Sequence, residues 1–199
     1  MFKKINLENF TIKQKTLKNK FNEDSLSLCS FINQDLSEKK IIDLGSGSGI
    51  ISIFIEKNFR VNEVVSIEIE RKAFKALKEN IKINNCINIK AYEYDIKDLK
   101  NTFNPNSYDL VITNPPFFKI GQGKQSINSE KLLARHEVLC NMEDIFDVSY
   151  NLLKSKGSFI FCYPEARDNE VNLNAQKYKF NIVEKKYRKN VNFYHLIKD

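Results

Sequence analysis

The sequence predicts an α/β fold, a mostly parallel sheet covered by helices on both faces. Two observations predict it. First, short apolar runs alternate with helical patterns from residue 40 to residue 162. Such alternation marks β-α-β units, whose crossovers carry helices to both faces of a sheet. Second, the chain has 199 residues, 42% hydrophobic and 29% charged, with no repeat and no Pro- or Gly-rich linker. That is enough for one continuous core. The expected organisation is one domain over 1–199, with a basic segment and a helix in 1–35 and the sheet-bearing core in 36–199.

The elements follow in order. Residues 1–23 are basic and irregular and suit a short hairpin or a loose lid. Asp24 is placed to N-cap a helix carrying Leu26, Leu28, Cys29, Phe31 and Ile32. Lys40 to Leu44 is a short apolar strand and Gly49 to Lys57 a helix. Val64 to Ile69 is a strand, and Arg71 to Ile83 is a helix with Ala73, Phe74, Leu77 and Ile81 on one face. Strands are expected over Ile87 to Tyr94 and Tyr108 to Thr113, the second ended sharply by Asn114-Pro115-Pro116. An open polar stretch, 119–129, leads to helical patterns at 130–139 and 143–153. Gly157 to Cys162 is a buried strand, and Pro164 suits the first position of a further helix. Phe180 to Arg188 and Asn192 to Ile197 form a closing antiparallel hairpin. Right-handed crossovers then place a ligand at the carboxyl ends of the strands.

A glycine turn sits at one such end. Asp43-Leu44-Gly45-Ser46-Gly47-Ser48-Gly49 leaves a strand and opens a helix. Glycines permit the tight turn and let a ligand approach the backbone. The free N–H groups of the helix start suit a carboxylate as well as a phosphate. The spacing is G-x-G-x-G, not that of the dinucleotide fingerprint, and no Gly-Lys-Ser/Thr ending marks a P-loop. Glu68 ends the next strand, where a carboxylate can accept both ribose hydroxyls of an adenosine. Glu70 is the alternative for that role. Asp95 ends the third strand and can accept from an adenine amine, or simply cap a turn. Asp43, Gly45, Gly47, Gly49, Glu68 and Asp95 are therefore the candidate cofactor contacts.

Asn114-Pro115-Pro116-Phe117 is the most informative stretch. An amine on an aromatic ring is a poor nucleophile because its lone pair is delocalised. Two acceptors aimed at its N–H groups favour a pyramidal nitrogen whose lone pair points at a methyl donor. Asn114 offers its side-chain oxygen and Pro115 its backbone carbonyl, while the prolines hold both in place before reaction. Phe117 can stack on a flat base. No strong general base is needed if the proton leaves after methyl transfer.

Charge and cysteine usage narrow the class. A formal net charge of +7 suits an anionic partner such as RNA, although drift toward Lys gives the same number. Basic clusters lie at Lys13, Lys15, Lys18 and Lys20 and at Lys185, Lys186, Arg188 and Lys189. Cys29, Cys86, Cys140 and Cys162 are scattered, and only His136 and His195 could assist them as ligands, which argues against a zinc site or a disulfide framework. No apolar leader and no run of eighteen uncharged apolar residues is present, so a cytoplasmic protein that does not span membranes is expected.

Together these residues resemble the class I methyltransferases of the NPPY/NPPF type, and within that group the tRNA(Val) adenine-37 N6-methyltransferase family. The resemblance covers nearly the whole chain. Besides Asp43–Gly49, Glu68 and Asn114–Phe117, it is carried by Thr11-Ile12-Lys13-Gln14, Phe21 and Asp24-Ser25-Leu26 near the start. Glu79-Asn80 with Asn84, and Ala134-Arg135-His136-Glu137, add to it. It implies a Rossmann-like, seven-stranded, mostly parallel sheet ending in an antiparallel hairpin, with S-adenosylmethionine as cofactor. It implies cofactor contacts at Gly45, Gly47, Glu68 and Asp95 and base contacts at Asn114 and Phe117. The implied activity is N6-methylation of an adenine in tRNA, at position 37 beside the anticodon. The expected partner is RNA, with the chain working as a monomer without metal or membrane. Lys119 and Lys124, on a loop expected to be mobile over 119–129, and Arg135 are the candidate phosphate contacts. The C-terminal hairpin from Lys185 to Lys198 is compressed relative to the family's longer connection.

Three other readings share parts of this pattern. Glutamine N5-methylation of release factors uses the same four-residue logic, but those enzymes carry a substantial helical domain ahead of the glycine turn, and about forty residues precede it here. Guanine N2-methylation of ribosomal RNA is usually performed by duplicated chains, and this chain has one copy. A non-catalytic RNA-binding subunit would have no need of an intact NPPF.

Overall fold

The computed structural model describes residues 2–7, 9–15, 23–115 and 140–199. Strands β1 (Phe2–Leu7) and β2 (Phe10–Lys15) form a separate antiparallel hairpin, followed by helix α1 (Glu23–Phe31). The core then runs β3 (Lys40–Leu44), α2 (Ile50–Asn58), β4 (Glu63–Ile67), α3 (Arg71–Ile83) and β5 (Ile89–Tyr92). A 3-10 turn (Ile96–Asp98) and the short helix α4 (Leu99–Thr102) precede β6 (Tyr108–Thr113). Helix α5 (Met142–Leu152) leads into β7 (Leu153–Pro164), and α6 (Asp168–Lys177) into β8 (Phe180–Arg188) and β9 (Val191–Lys198).

The main sheet has seven strands in the order β5-β4-β3-β6-β7-β9-β8. Strands β5, β4, β3, β6 and β7 are parallel, while β9 runs antiparallel to both β7 and β8. This is the fold the sequence predicts. The order reverses between β3 and β6, so ligand space opens above the tips of those two strands.

The core confirms why the strand runs are continuously apolar. Along β6 and β7, Val111, Phe159, Phe161 and Tyr163 join one cluster with Phe146 and Leu152 of α5. The alternate residues Leu110, Ile112, Ile160 and Cys162 join the other, with Leu28 and Phe31 of α1 and Ile51, Ile53 and Ile55 of α2. Each strand is thus apolar on both sides of its pleat, as a doubly covered sheet requires. Phe10 and Ile12 of β2 are buried in the second cluster, and the hairpin sits against α2 and α3.

Several boundaries depart from the sequence reading. Helix α1 begins at Glu23, so Asp24 lies in its first turn and is not the cap. Strand β4 stops at Ile67, because the Glu68 carboxylate takes the Glu70 N–H and turns the chain. Strand β5 spans only Ile89–Tyr92, a short edge strand whose flank Ile87 is 87% exposed. Strand β7 begins four residues before Gly157, with a register shift opposite Tyr108 and Leu110 and Lys156 at φ 61. Pro164 does not open an α-helix. It is paired with Val191 as the last residue of β7, and a 3-10 turn intervenes before α6. The C-terminal hairpin is indeed tight, turning on Lys189 and Asn190, both at positive φ.

Candidate active site

The glycine turn joins β3 to α2. Gly45, Gly47 and Gly49 all have positive φ, at 70°, 56° and 87°. At Gly47 an added Cβ would meet nothing within 4 Å, so the turn faces open space there. At Gly49 a Cβ would stand 2.5 Å from Leu77 Cδ1, so glycine leaves room there for the Leu77 side chain of α3. The turn is tied to the end of β4: Ser46 N donates to the Ile67 carbonyl at 2.9 Å, and Gly47 N donates to Glu68 Oε2 at 2.8 Å. Glu68 Oε1 accepts from Glu70 N at 2.6 Å. Two backbone N–H groups therefore fix a buried carboxylate beside the turn. Glu70 is exposed and precedes α3, and only its backbone N–H joins this arrangement.

Beneath the turn lies Asp43, fully buried. Ser52 donates to its Oδ2 at 2.5 Å, and Ser66 donates to Ser52 at 2.7 Å. Its Oδ1 has no partner among the described residues. Burial pushes its carboxyl up to about 7; the Ser52 hydroxyl pulls it down and the Glu68 charge adds to the rise. A buried carboxylate with an orphaned oxygen calls for a donor or a cation. Asp95 caps the 3-10 turn after β5, accepting from Lys97 N at 3.0 Å. The capping role and the candidate cofactor role thus fall on one side chain.

Asn114 follows β6 directly, as Gly45 follows β3. Thr113 pairs with Leu44 across the two strands, and its hydroxyl donates to the Leu44 carbonyl at 2.7 Å. Asn114 and the glycine turn therefore share one rim of the sheet. The Asn114 side chain is held at both ends. Nδ2 donates to Ser25 Oγ of α1 at 2.8 Å, and Oδ1 accepts from the Cys162 thiol of β7 at 3.2 Å. Pro115 is buried. Phe117, Lys119, Lys124, Arg135 and His136, with the loop 119–129 and the helix expected at 130–139, lie outside the described residues.

Three sets of contacts are not predicted by the sequence, although the resemblance includes Asn80 and Asn84. Ser25 and Cys162 lie 89 and 48 positions from Asn114, and only the resemblance drew attention to Ser25. Asn80 donates to the carbonyls of both Ser48 and Lys13 and accepts from Lys13 N, and Asn84 bonds Thr11 in the same two-way manner. Two amides one helical turn apart thus act as a strand edge for β2 and join the hairpin to the glycine turn. The C-terminal basic cluster is turned onto the protein's own groups. Lys185 pairs with Asp168, Lys186 with Glu184 and Lys189 with Glu23, while Arg188 donates to Ser27. Among the described residues no group of three or more His, Cys, Asp or Glu is placed to hold a metal, and no helix is long and apolar enough to cross a membrane.

A glycine turn, an acidic strand end and an Asn-Pro tip on one rim of a seven-stranded sheet with a reversed last strand define a methyltransferase-type site. The sequence profile described as "methyltransferase small domain" matches residues 17–191, and the chain belongs to that family. It is 25% identical over 158 residues to a tRNA1(Val) (adenine(37)-N6)-methyltransferase of Trichodesmium erythraeum, covering 78% of this chain and 64% of that protein. It is 27% identical over 137 residues to a release factor glutamine methyltransferase of Fusobacterium nucleatum, covering 66% of this chain and 37% of that one. The chain thus spans less than two thirds of the length of either relative. The crystal structure of M. jannaschii TYW2 in complex with AdoMet superposes with a TM-score of 0.67 at 16% identity, over 98% of this chain and 84% of that one. The residues present fit S-adenosylmethionine, the cofactor that the resemblance implies. The open cradle at Gly45 and Gly47 leaves room for a ligand, and the unmatched Asp43 Oδ1 suits a bound cation or donor.

Proposed function

We propose that the protein transfers a methyl group to N6 of an adenine in tRNA, at position 37 beside the anticodon. The observation that carries this reading is the placement of Asn114-Pro115 on the strand tip next to the glycine turn. Gly45, Gly47 and Gly49 would admit the cofactor's amino-acid end close to the backbone, with Asp43 beneath it. Glu68, its carboxylate already oriented, would take the ribose hydroxyls and Asp95 the adenine amine. When bound, the cofactor supplies an electrophilic methyl group on a sulfonium.

The chain's own residues then prepare the nucleophile. The Asn114 side-chain oxygen and the Pro115 carbonyl accept the two N–H bonds of the target amine, which draws its lone pair out of the ring. Both acceptors sit on a proline-stiffened turn, so little reorganisation accompanies the reaction. Phe117 would stack on the base, which must first leave its neighbours at a cost of a few kcal/mol. Lys119, Lys124 and Arg135 would meet phosphates. The net positive charge and the relative acting on tRNA1(Val) support RNA as the partner.

The test is incubation with methyl-labelled cofactor and total tRNA, followed by digestion to nucleosides. Label in N6-methyladenosine is expected. Label confined to protein, as glutamine methylation of a release factor would give, overturns the assignment.

A further inference from the structure

The Asn114 amide carries an orientation problem. Its oxygen and nitrogen ends are nearly equal in size, so packing alone does not choose between them. Only one orientation offers an acceptor to an amine; the other sets N–H against N–H. Two buried side chains from distant parts of the chain meet its two ends. Ser25 Oγ, in the first turn of α1, accepts from Nδ2 at 2.8 Å. The Cys162 thiol, near the end of β7, donates to Oδ1 at 3.2 Å.

We propose that Ser25 and Cys162 are positioning residues that hold the Asn114 amide in the one orientation able to accept from the methyl-accepting amine. This rests on the role given to Asn114 above.

The chemistry of the two partners suits the task. A thiol donates and accepts only weakly, so the Ser25 bond carries most of the hold on the amide, while the thiol donating to Oδ1 leaves most of that oxygen's acceptor strength, and its second lone pair, for the substrate. Burial pushes the Cys162 thiol well above its ordinary range, so it stays protonated and remains a donor. On the other side, α1 is itself anchored. Arg188 donates to Ser27 Oγ at 2.5 Å and Lys189 donates to Glu23 at 2.9 Å, while Asn33, just past the helix end, donates to Glu184 at 2.6 Å. The tight β8–β9 hairpin thus fixes the helix that carries Ser25. This gives the C-terminal basic cluster a structural task apart from RNA.

The test uses the full chain. Ser25→Ala and Cys162→Ala are each expected to lower kcat about tenfold, the size of one lost orienting hydrogen bond. The cofactor Kd should stay near that of the wild type in both; the melting temperature should hold in Ser25→Ala and fall modestly in Cys162→Ala, which removes a core sulfur. Ser25→Thr and Cys162→Ser restore a hydroxyl and are expected to recover several-fold over the alanine variants. Turnover is measured with labelled cofactor on total tRNA. A second readout needs no turnover: the Asn114 side-chain amide protons, identified by their loss in Asn114→Ala, should exchange slowly in wild type and faster in both alanine variants. If wild type methylates no tRNA, the functional reading fails and the amide readout alone judges the positioning. Unchanged kcat in both alanine variants, or unchanged amide exchange, overturns the proposal. So does a loss of turnover matched by an equal loss of cofactor affinity.

Discussion

Replacing Asp43 with asparagine removes a fully buried ionisable group from the site. Its carboxyl moves from 3.8 to about 7 on folding, chiefly because burial disfavours the charge. The raised value fixes the sign. Asp43 contributes its full stability below the unfolded value and loses it as pH rises through the folded value. Across that interval each pH step costs about 1.4 kcal/mol, so the whole loss is on the order of 4 kcal/mol. The amide introduced by Asp43→Asn would keep an acceptor for Ser52 and carry no charge, so the variant's stability lacks this dependence. Urea unfolding of the cofactor-free wild type and Asp43→Asn between pH 5 and pH 8 reads the difference directly. The variant should gain about 3 kcal/mol on the wild type across that range, with little further change above it. Parallel stability curves would mean that Asp43 stays ionised throughout, and the argument from its burial would fail. The same variant should bind S-adenosylmethionine more weakly, because the negative charge beneath the turn is gone.

Two glycines of the turn should separate folding from binding. Gly49→Ala forces a Cβ to 2.5 Å from Leu77 at φ +87, costing about 2–4 kcal/mol of stability in denaturant titrations. Gly47→Ala meets nothing within 4 Å, so it should cost only about 1 kcal/mol for its φ, yet lose tenfold or more in cofactor affinity by calorimetry. Equal effects of the two on stability would refute the distinction. Lys198 offers a check on the fold far from the site. Buried, it donates to Asn106 Oδ1, the Tyr150 carbonyl and the Leu153 carbonyl at 2.8, 2.6 and 2.7 Å. Lys198→Met should cost about 3 kcal/mol and lower the melting temperature by roughly 6–12 °C. An unchanged melting temperature would show those acceptors to be satisfied otherwise.

Much of this architecture was legible because it is written in local pattern. Alternating apolar runs gave the parallel strands, and the glycines marked the turn between Asp43 and Gly49. Asn114-Pro115 marked the end of β6 at the residue where the strand stops. What was not legible depends on contacts across the chain. Helix α4 and its 3-10 turn bury Leu99 alone, too little for a periodic signal. Pro164 reads as a helix start because its φ suits one, yet pairing with β9 keeps it in a strand. Ser25 and Cys162 carry no motif of their own, and only the fold brings them to the two ends of one amide. The resemblance includes Asn80 and Asn84, but that they form the edge receiving β2 shows only in the fold, since an Asn on a helix has many uses.

The central claim is that Asn114 serves the amine, while the glycine turn and Glu68 serve the cofactor. Calorimetric titration of S-adenosylmethionine into Asn114→Ala, with turnover on tRNA measured in the same preparation, tests it most directly. Cofactor affinity within about twofold of wild type, with turnover reduced a hundredfold or more, is expected. Retained turnover together with lost affinity would place Asn114 with the cofactor and contradict the account.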